Sequence, residues 1–154
     1  MRKAFKQYVR WIGIWIGSGE TQLGNPTRVR LEVKERLNGE ALEVSVEYCH
    51  SETNDLLHGV VGLLGLSADG IIRYSAYSNL HGNILLEATP DDPGVLALSG
   101  NSPNKRFVSV TIVQDKDDHL MLTSHYHPLG AADDESKQRR TVVRLGRMKL
   151  ASRG

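Results

Sequence analysis

Between Arg28 and Lys34 every second residue is apolar: Val29, Leu31 and Val33 alternate with Arg28, Arg30, Glu32 and Lys34. A period of two puts each set on one side of an extended chain, so this segment reads as a strand with one dry and one wet face. Asn38-Gly39 comes next, a pair that tolerates the positive φ of a tight hairpin turn. The chain then returns with Leu42, Val44, Val46 and Tyr48 opposite Glu43, Ser45 and Glu47. Further strand-like runs at 57–67, 71–78, 83–88, 95–99, 106–114, 119–127 and 140–149 are separated by polar or Gly- and Pro-containing turns. With a first strand at 12–21, the pattern predicts about ten strands.

Turns this short join neighbouring strands antiparallel and in chain order. An open sheet would leave two unpaired edges, and closing it removes both. The expected fold is therefore all-β: an antiparallel up-and-down barrel of about ten strands, forming a single domain over residues 1–154. That length suits one core. Ahead of the strands, Phe5, Tyr8, Val9 and Ile12 fall at i, i+3, i+4 and i+7, so residues 2–10 read as a short helix with one apolar stripe. Gly17 and Gly19 share the face of Trp15, which is expected to be hollowed beside the indole.

The run 57–67 breaks the rule of one dry face, because it is apolar on both sides. Its outer side needs a cover, either the N-terminal helix or a second subunit in a homodimer. The formal net charge of +1 gives no general attraction to nucleic acid or to an anionic membrane. Arg139, Arg140, Arg144, Arg147, Lys149 and Arg153 crowd the last strand and tail, where they read as solvated outward residues. Cys49 is the only cysteine, so no internal disulfide forms. With Arg10 interrupting the N-terminal apolar stretch, a cytoplasmic protein is expected.

Gly13-Ile14-Trp15 at the head of the first strand resembles the Gly-x-Trp of the lipocalin-like, or calycin, barrels. The longer Gly13-Ile14-Trp15-Ile16-Gly17-Ser18-Gly19 is similar to the Gly-x-Trp-x-Gly-x-Gly of nitrobindin-like ten-stranded barrels and their bacterial relatives. The likeness runs loosely from about Gly13 to Met148. It implies a barrel with an internal cavity and a last-strand cation over the tryptophan, for which Arg144 and Arg147 are candidates. Nitrobindin holds haem iron through a histidine near the start of its last strand. Here that region reads Arg139-Arg140-Thr141-Val142-Val143, so the resemblance supplies no cofactor.

No Gly-x-Ser-x-Gly elbow and no phosphate-binding glycine loop is present, and no catalytic residue is assigned. His125 and His127 share one side of a strand with His119, and a His-x-His pair is half of a metal site. Without a third ligand, no metal is assigned. The apolar set Leu120 and Leu122, with Ser124 and Tyr126, would normally turn inward and leave those histidines outside, although a ligand-binding interior can itself be mixed. The expected function is binding of a small apolar or amphipathic molecule inside the barrel. The expected lining is Trp15, Val44, Val46, Tyr48, Tyr77 and Phe107, with His81 and His125 as polar groups that orient the ligand. The alternatives are an enzyme using His81 or His125 as acid or base, a structural or assembly protein with 57–67 as its contact surface, and a haem-binding nitrobindin-like protein.

Overall fold

A computed structural model describes residues 1–20, 24–89, 93–116 and 118–149. Ten strands follow one another: β1 (Gly13–Glu20), β2 (Pro26–Arg36), β3 (Ala41–His50), β4 (Leu56–Leu66), β5 (Ile72–Ser78), β6 (Gly82–Ala88), β7 (Val95–Asn101), β8 (Arg106–Gln114), β9 (His119–Pro128) and β10 (Arg139–Arg147). Each pairs antiparallel with the next, and β10 pairs with β1 to close the barrel. The up-and-down order expected from the short turns is the order observed.

Alternation sets what faces inward. Val29, Leu31 and Val33 of β2 are buried, as are Leu42, Val44, Val46 and Tyr48 of β3. The two strands pair from Thr27↔His50 to Arg36↔Ala41, so the buried sets lie side by side. The loop between them holds Leu37, Asn38 and Gly39 all at positive φ. The Asn-Gly signal thus marked the turn, and the left-handed stretch begins one residue earlier, at an exposed Leu37.

The N-terminal segment departs from expectation in pitch. Lys3–Trp11 is a 3₁₀-helix, and it buries Phe5, Tyr8 and Trp11 at a spacing of three. Three residues per turn stacks i, i+3 and i+6 on one side. Val9, which an α-helical stripe would bury, is half exposed at 51%. This helix plugs one end of the barrel. Trp11 Nε1 donates to Gln114 Oε1 at 2.9 Å, and the Arg2 amide donates to Gly39 O at 2.9 Å.

The helix therefore does not cover β4. Val60 and Leu64 of that strand face the core, while Val61 and Leu63 stay exposed on the outer wall. Register places Tyr77 beside Val61, and Leu85 across Ser75 from Leu63. Tyr77 is 60% exposed, so its expected place in the lining is corrected: β5 turns Tyr74 inward, and Tyr77, three residues on, must point out.

Beside Trp15 there is no hollow. A Cβ on Gly17 would lie 2.4 Å from the Arg144 carbonyl oxygen, so the glycine is what lets β10 close against β1. Arg147 then lies over the Trp15 ring at 4.2 Å, and Trp15 Nε1 donates to Trp11 O at 2.9 Å. The Arg147 guanidinium also donates to the carbonyls of Ile12 and Arg10. Arg147 is thus a structural clasp and not a solvated outward residue. Arg153 lies outside the described residues.

Candidate functional site

The end of the barrel opposite the helix is open to a cavity of about 300 Å³. Its lower wall is aliphatic, from Val46, Val60, Ile84, Val108 and Val110. Alternation delivers these, since each belongs to its strand's inward set. Tyr74 lies beneath, its hydroxyl donating to Val44 O at 2.6 Å. Burial pushes the Tyr74 phenol well above its ordinary pKa and the Tyr48 phenol up to about 12, so both stay neutral.

Towards the mouth the lining changes to rings. Tyr48 stacks on His58 with centroids 5.5 Å apart and planes 10° apart. His58 meets His81 edge-on at 5.5 Å, and His81 meets Tyr126 edge-on at 4.8 Å. Arg106 lies over the far side of this arc, 5.6 Å from the Tyr126 centroid. Four rings from β3, β4, the β5–β6 turn and β9 thus form one continuous wall.

Ser78 organises that wall. Its Oγ accepts from the backbone amides of Leu80 and His81, both at 3.1 Å. Those two bonds use the oxygen's lone pairs, so the single O–H is left to donate to His58 Nε2 at 3.1 Å. His58 must then be neutral, with its proton on Nδ1. Burial works in the same direction, lowering the His58 pKa to about 4. The His81 pKa is also lowered to about 4, first by burial and then by the neighbouring His58 and Arg106. Among the described residues the buried His81 Nδ1 has no hydrogen-bond partner. The Tyr48 hydroxyl is hydrogen-bonded to Ser124 Oγ of β9.

Of the residues expected to line the cavity, Val46, Tyr48 and His81 do so. Val44 is buried below them, where its carbonyl holds Tyr74. Trp15 belongs to the plugged end, with Arg147 over its ring. Phe107 lies on the opposite side of β8 from Val108 and stacks on His127 at 5.1 Å. His125 borders the cavity, but its Nε2 donates to Gln138 Oε1 at 2.6 Å. Gln138 Nε2 in turn donates to Ala131 O at 2.8 Å, which ties the 129–138 loop to β9. His125 is thereby a loop anchor.

Sequence reasoning gave no site role to His58, Ser78, Tyr126 or Arg139. It did place Tyr126 with Leu120 and Leu122 on the face that would normally turn inward, and both leucines are fully buried. His58 shares parity with Val60 and Leu64 in the same way. Their meeting across strands was not legible, since it depends on closure and register.

Among the described residues no group of three His, Cys, Asp or Glu side chains is placed to hold a metal. Haem by the last-strand route does not fit either. The start of β10 brings Arg139, Arg140 and Thr141 to the cavity, and none of them is an axial ligand for haem iron. No helix among the described residues is long and apolar enough to cross a membrane.

No family model matches this sequence, and no curated protein matches it. Among solved structures it is similar to the crystal structure of Rv2717c from M. tuberculosis, with a TM-score of 0.72 at 14% identity, covering 97% of this chain and 99% of that one. It is more distantly similar to EF1p2_mFAP2b bound to DFHBI, with a TM-score of 0.48 at 14% identity over 93% of this chain and 98% of that one. The redesigned β-barrel mFAP0 bound to DFHBI gives a TM-score of 0.47 at 12% identity over 90% and 99%. The likeness to Rv2717c extends over nearly the whole of both chains and establishes a shared barrel fold.

Proposed function

We propose that this protein binds one small amphipathic molecule in the open end of its barrel and does not transform it. The observation that carries this reading is the cavity itself. About 300 Å³ of space, apolar at the base and ringed by Tyr48, His58, His81 and Tyr126, is at the small end of the ligand-pocket range. The unpartnered His81 Nδ1 adds support, because a buried nitrogen without a partner is costly unless something else satisfies it. Non-catalytic binding is preferred over an enzyme for a chemical reason: histidines with pKa values of about 4 are weak bases at neutral pH.

The test is native mass spectrometry of protein purified from its own cells, alongside a Val110→Trp variant that fills the cavity. We expect a bound small molecule in the wild type and none in the variant. Retention by Val110→Trp, or no uptake of any small aromatic or lipid probe by the wild type, would overturn the reading.

Gly13-x-Trp15, with Arg147 above the indole, supports placement among the lipocalin-like, nitrobindin-like barrels, with residues 1–154 as one domain. The single Cys49 fits a cytoplasmic setting. A homodimer through residues 57–67 remains part of the proposal, because Val61, Leu63, Tyr77 and Leu85 expose one apolar stretch of the outer wall. Light scattering at twice the chain mass would support it, and a monomer at high concentration would end it.

A further inference from the structure

Among the described residues the lining of the cavity holds arginines, Arg139 and Arg140, and no acid. Arg106 stands at the rim, donating to Leu80 O at 3.2 Å with its guanidinium over Tyr126. Several arginines elsewhere on the barrel are matched with acids, Arg73 with Asp69 and Glu87, Arg144 with Asp115 and Arg147 with Asp118, while Arg28 donates to the Asn54 side chain. Among the described residues neither Arg106 nor Arg139 has such a partner. Arg139 donates from one guanidinium nitrogen to the carbonyls of Ser136 and Gln138, at 3.1 and 3.0 Å. Those bonds hold the side chain in place and leave its charge uncompensated. The acidic stretch just ahead of it is occupied in part, since Asp134 accepts from Ser136 and pairs with Lys137.

We infer that the ligand is a flat aromatic organic anion. Its ring system would lie against the wall of Tyr48, His58, His81 and Tyr126, and its acid group would sit at the mouth between Arg106 and Arg139. Two independent features converge on this. The ring wall rewards a planar π surface with stacked or edge-on contacts. The arginines, each a fork of donors with no acid to satisfy them, recognise a carboxylate or a similar oxyanion in charge-assisted bonds. The inner histidines are neutral near pH 7, so the charge discrimination falls to the arginines alone. This inference rests on the cavity being the binding site and adds the charge and shape of what enters.

The experiment compares 2-naphthoate with 2-naphthamide, two bicyclic probes of nearly equal shape that differ in charge. Wild type is expected to bind the carboxylate at least about tenfold more tightly, the scale of one charge-assisted hydrogen bond. Raising the salt concentration should weaken the carboxylate and leave the amide unchanged. Arg139→Gln should cost the carboxylate about tenfold and the amide nothing, with Arg139→Lys recovering part of the loss. Arg139 is exposed and outside the core, so its variants keep the fold, which circular dichroism verifies. Arg106→Gln should act in the same direction. Equal binding of the two probes, or equal losses for both in Arg139→Gln, would overturn the anion preference while leaving cavity binding intact. If neither probe binds the wild type the aromatic-anion inference falls, while cavity binding stands or falls by the comparison of wild type with Val110→Trp.

Discussion

Ser78 is where a single side chain decides the most. It accepts two backbone amides and donates to His58, so Ser78→Ala leaves three polar groups short of a partner. We expect a loss of about 2 kcal/mol in denaturant unfolding and a rise in the His58 pKa, since the neutral ring loses the bond that favoured it. NMR titration of the imidazole measures the second effect, and an unmoved pKa would show that burial alone sets it. The histidines also give the protein a pH dependence. His58 and His81 have folded pKa values of about 4 against an ordinary value of 6.5. Between those limits the unfolded chain holds more protons, so acid favours unfolding. Their contribution is complete above pH 6.5 and is lost as the pH falls towards 4. The slope for His58 reaches at most about 1.4 kcal/mol per pH unit, less wherever cavity water screens the charge. His58→Gln should flatten the stability profile in that window, and an unchanged slope between pH 6.5 and 4 would contradict the assignment.

At the scale of the element, Gly17 sets propensity against sterics. Alanine normally improves a strand over glycine by about 0.5–1 kcal/mol. Here its Cβ would sit 2.4 Å from the Arg144 carbonyl oxygen, with the Leu145 and Val143 side chains at 3.0 and 3.1 Å crowding it further. The steric term wins, and Gly17→Ala should destabilise by about 1–3 kcal/mol and disturb the Arg147–Trp15 contact. Thermal unfolding together with tryptophan fluorescence tests this, and a more stable variant would refute it. The strands were legible for a plain reason. Where one face is buried, as at Val29-Leu31-Val33, alternation is written into the sequence. The helical pitch was not, because Phe5 and Tyr8, three apart, share a face in an α-helix and in a 3₁₀-helix alike, and only the barrel end that receives Trp11 separates them. Tyr77 misled for a related reason. Two tyrosines three apart in β5 must face opposite ways, and it is the register with β4, pairing Tyr74 with Leu64, that selects which one enters.

At the scale of the whole molecule the barrel is unevenly closed. β2 and β3 pair without interruption over their whole length. Among the described residues β6 and β7 pair only at Glu87↔Ser99 and Ala88↔Leu98, with Thr89 N adding a bond to Ala97 O. Towards the open end the two strands stay close, since a Cβ on Gly100 would lie 2.6 Å from Leu85 O, yet the ladder is not continued. Ile84, on the part of β6 that is paired with β5 but not with β7, lines the cavity. Fewer cross-strand bonds mean a lower cost of local opening there than in β2–β4, where exchange should require close to global unfolding. Native-state hydrogen exchange should therefore find the amides of Ile84–Leu86 and Gly100 exchanging well before those of Val29–Val33 and Val44–Val46. A ligand that rests on Ile84 should slow the fast set and leave the slow set unchanged, because it stabilises only the states that keep the cavity intact. Uniform protection round the barrel, or ligand protection confined to β2 and β3, would place the weak side of the wall elsewhere.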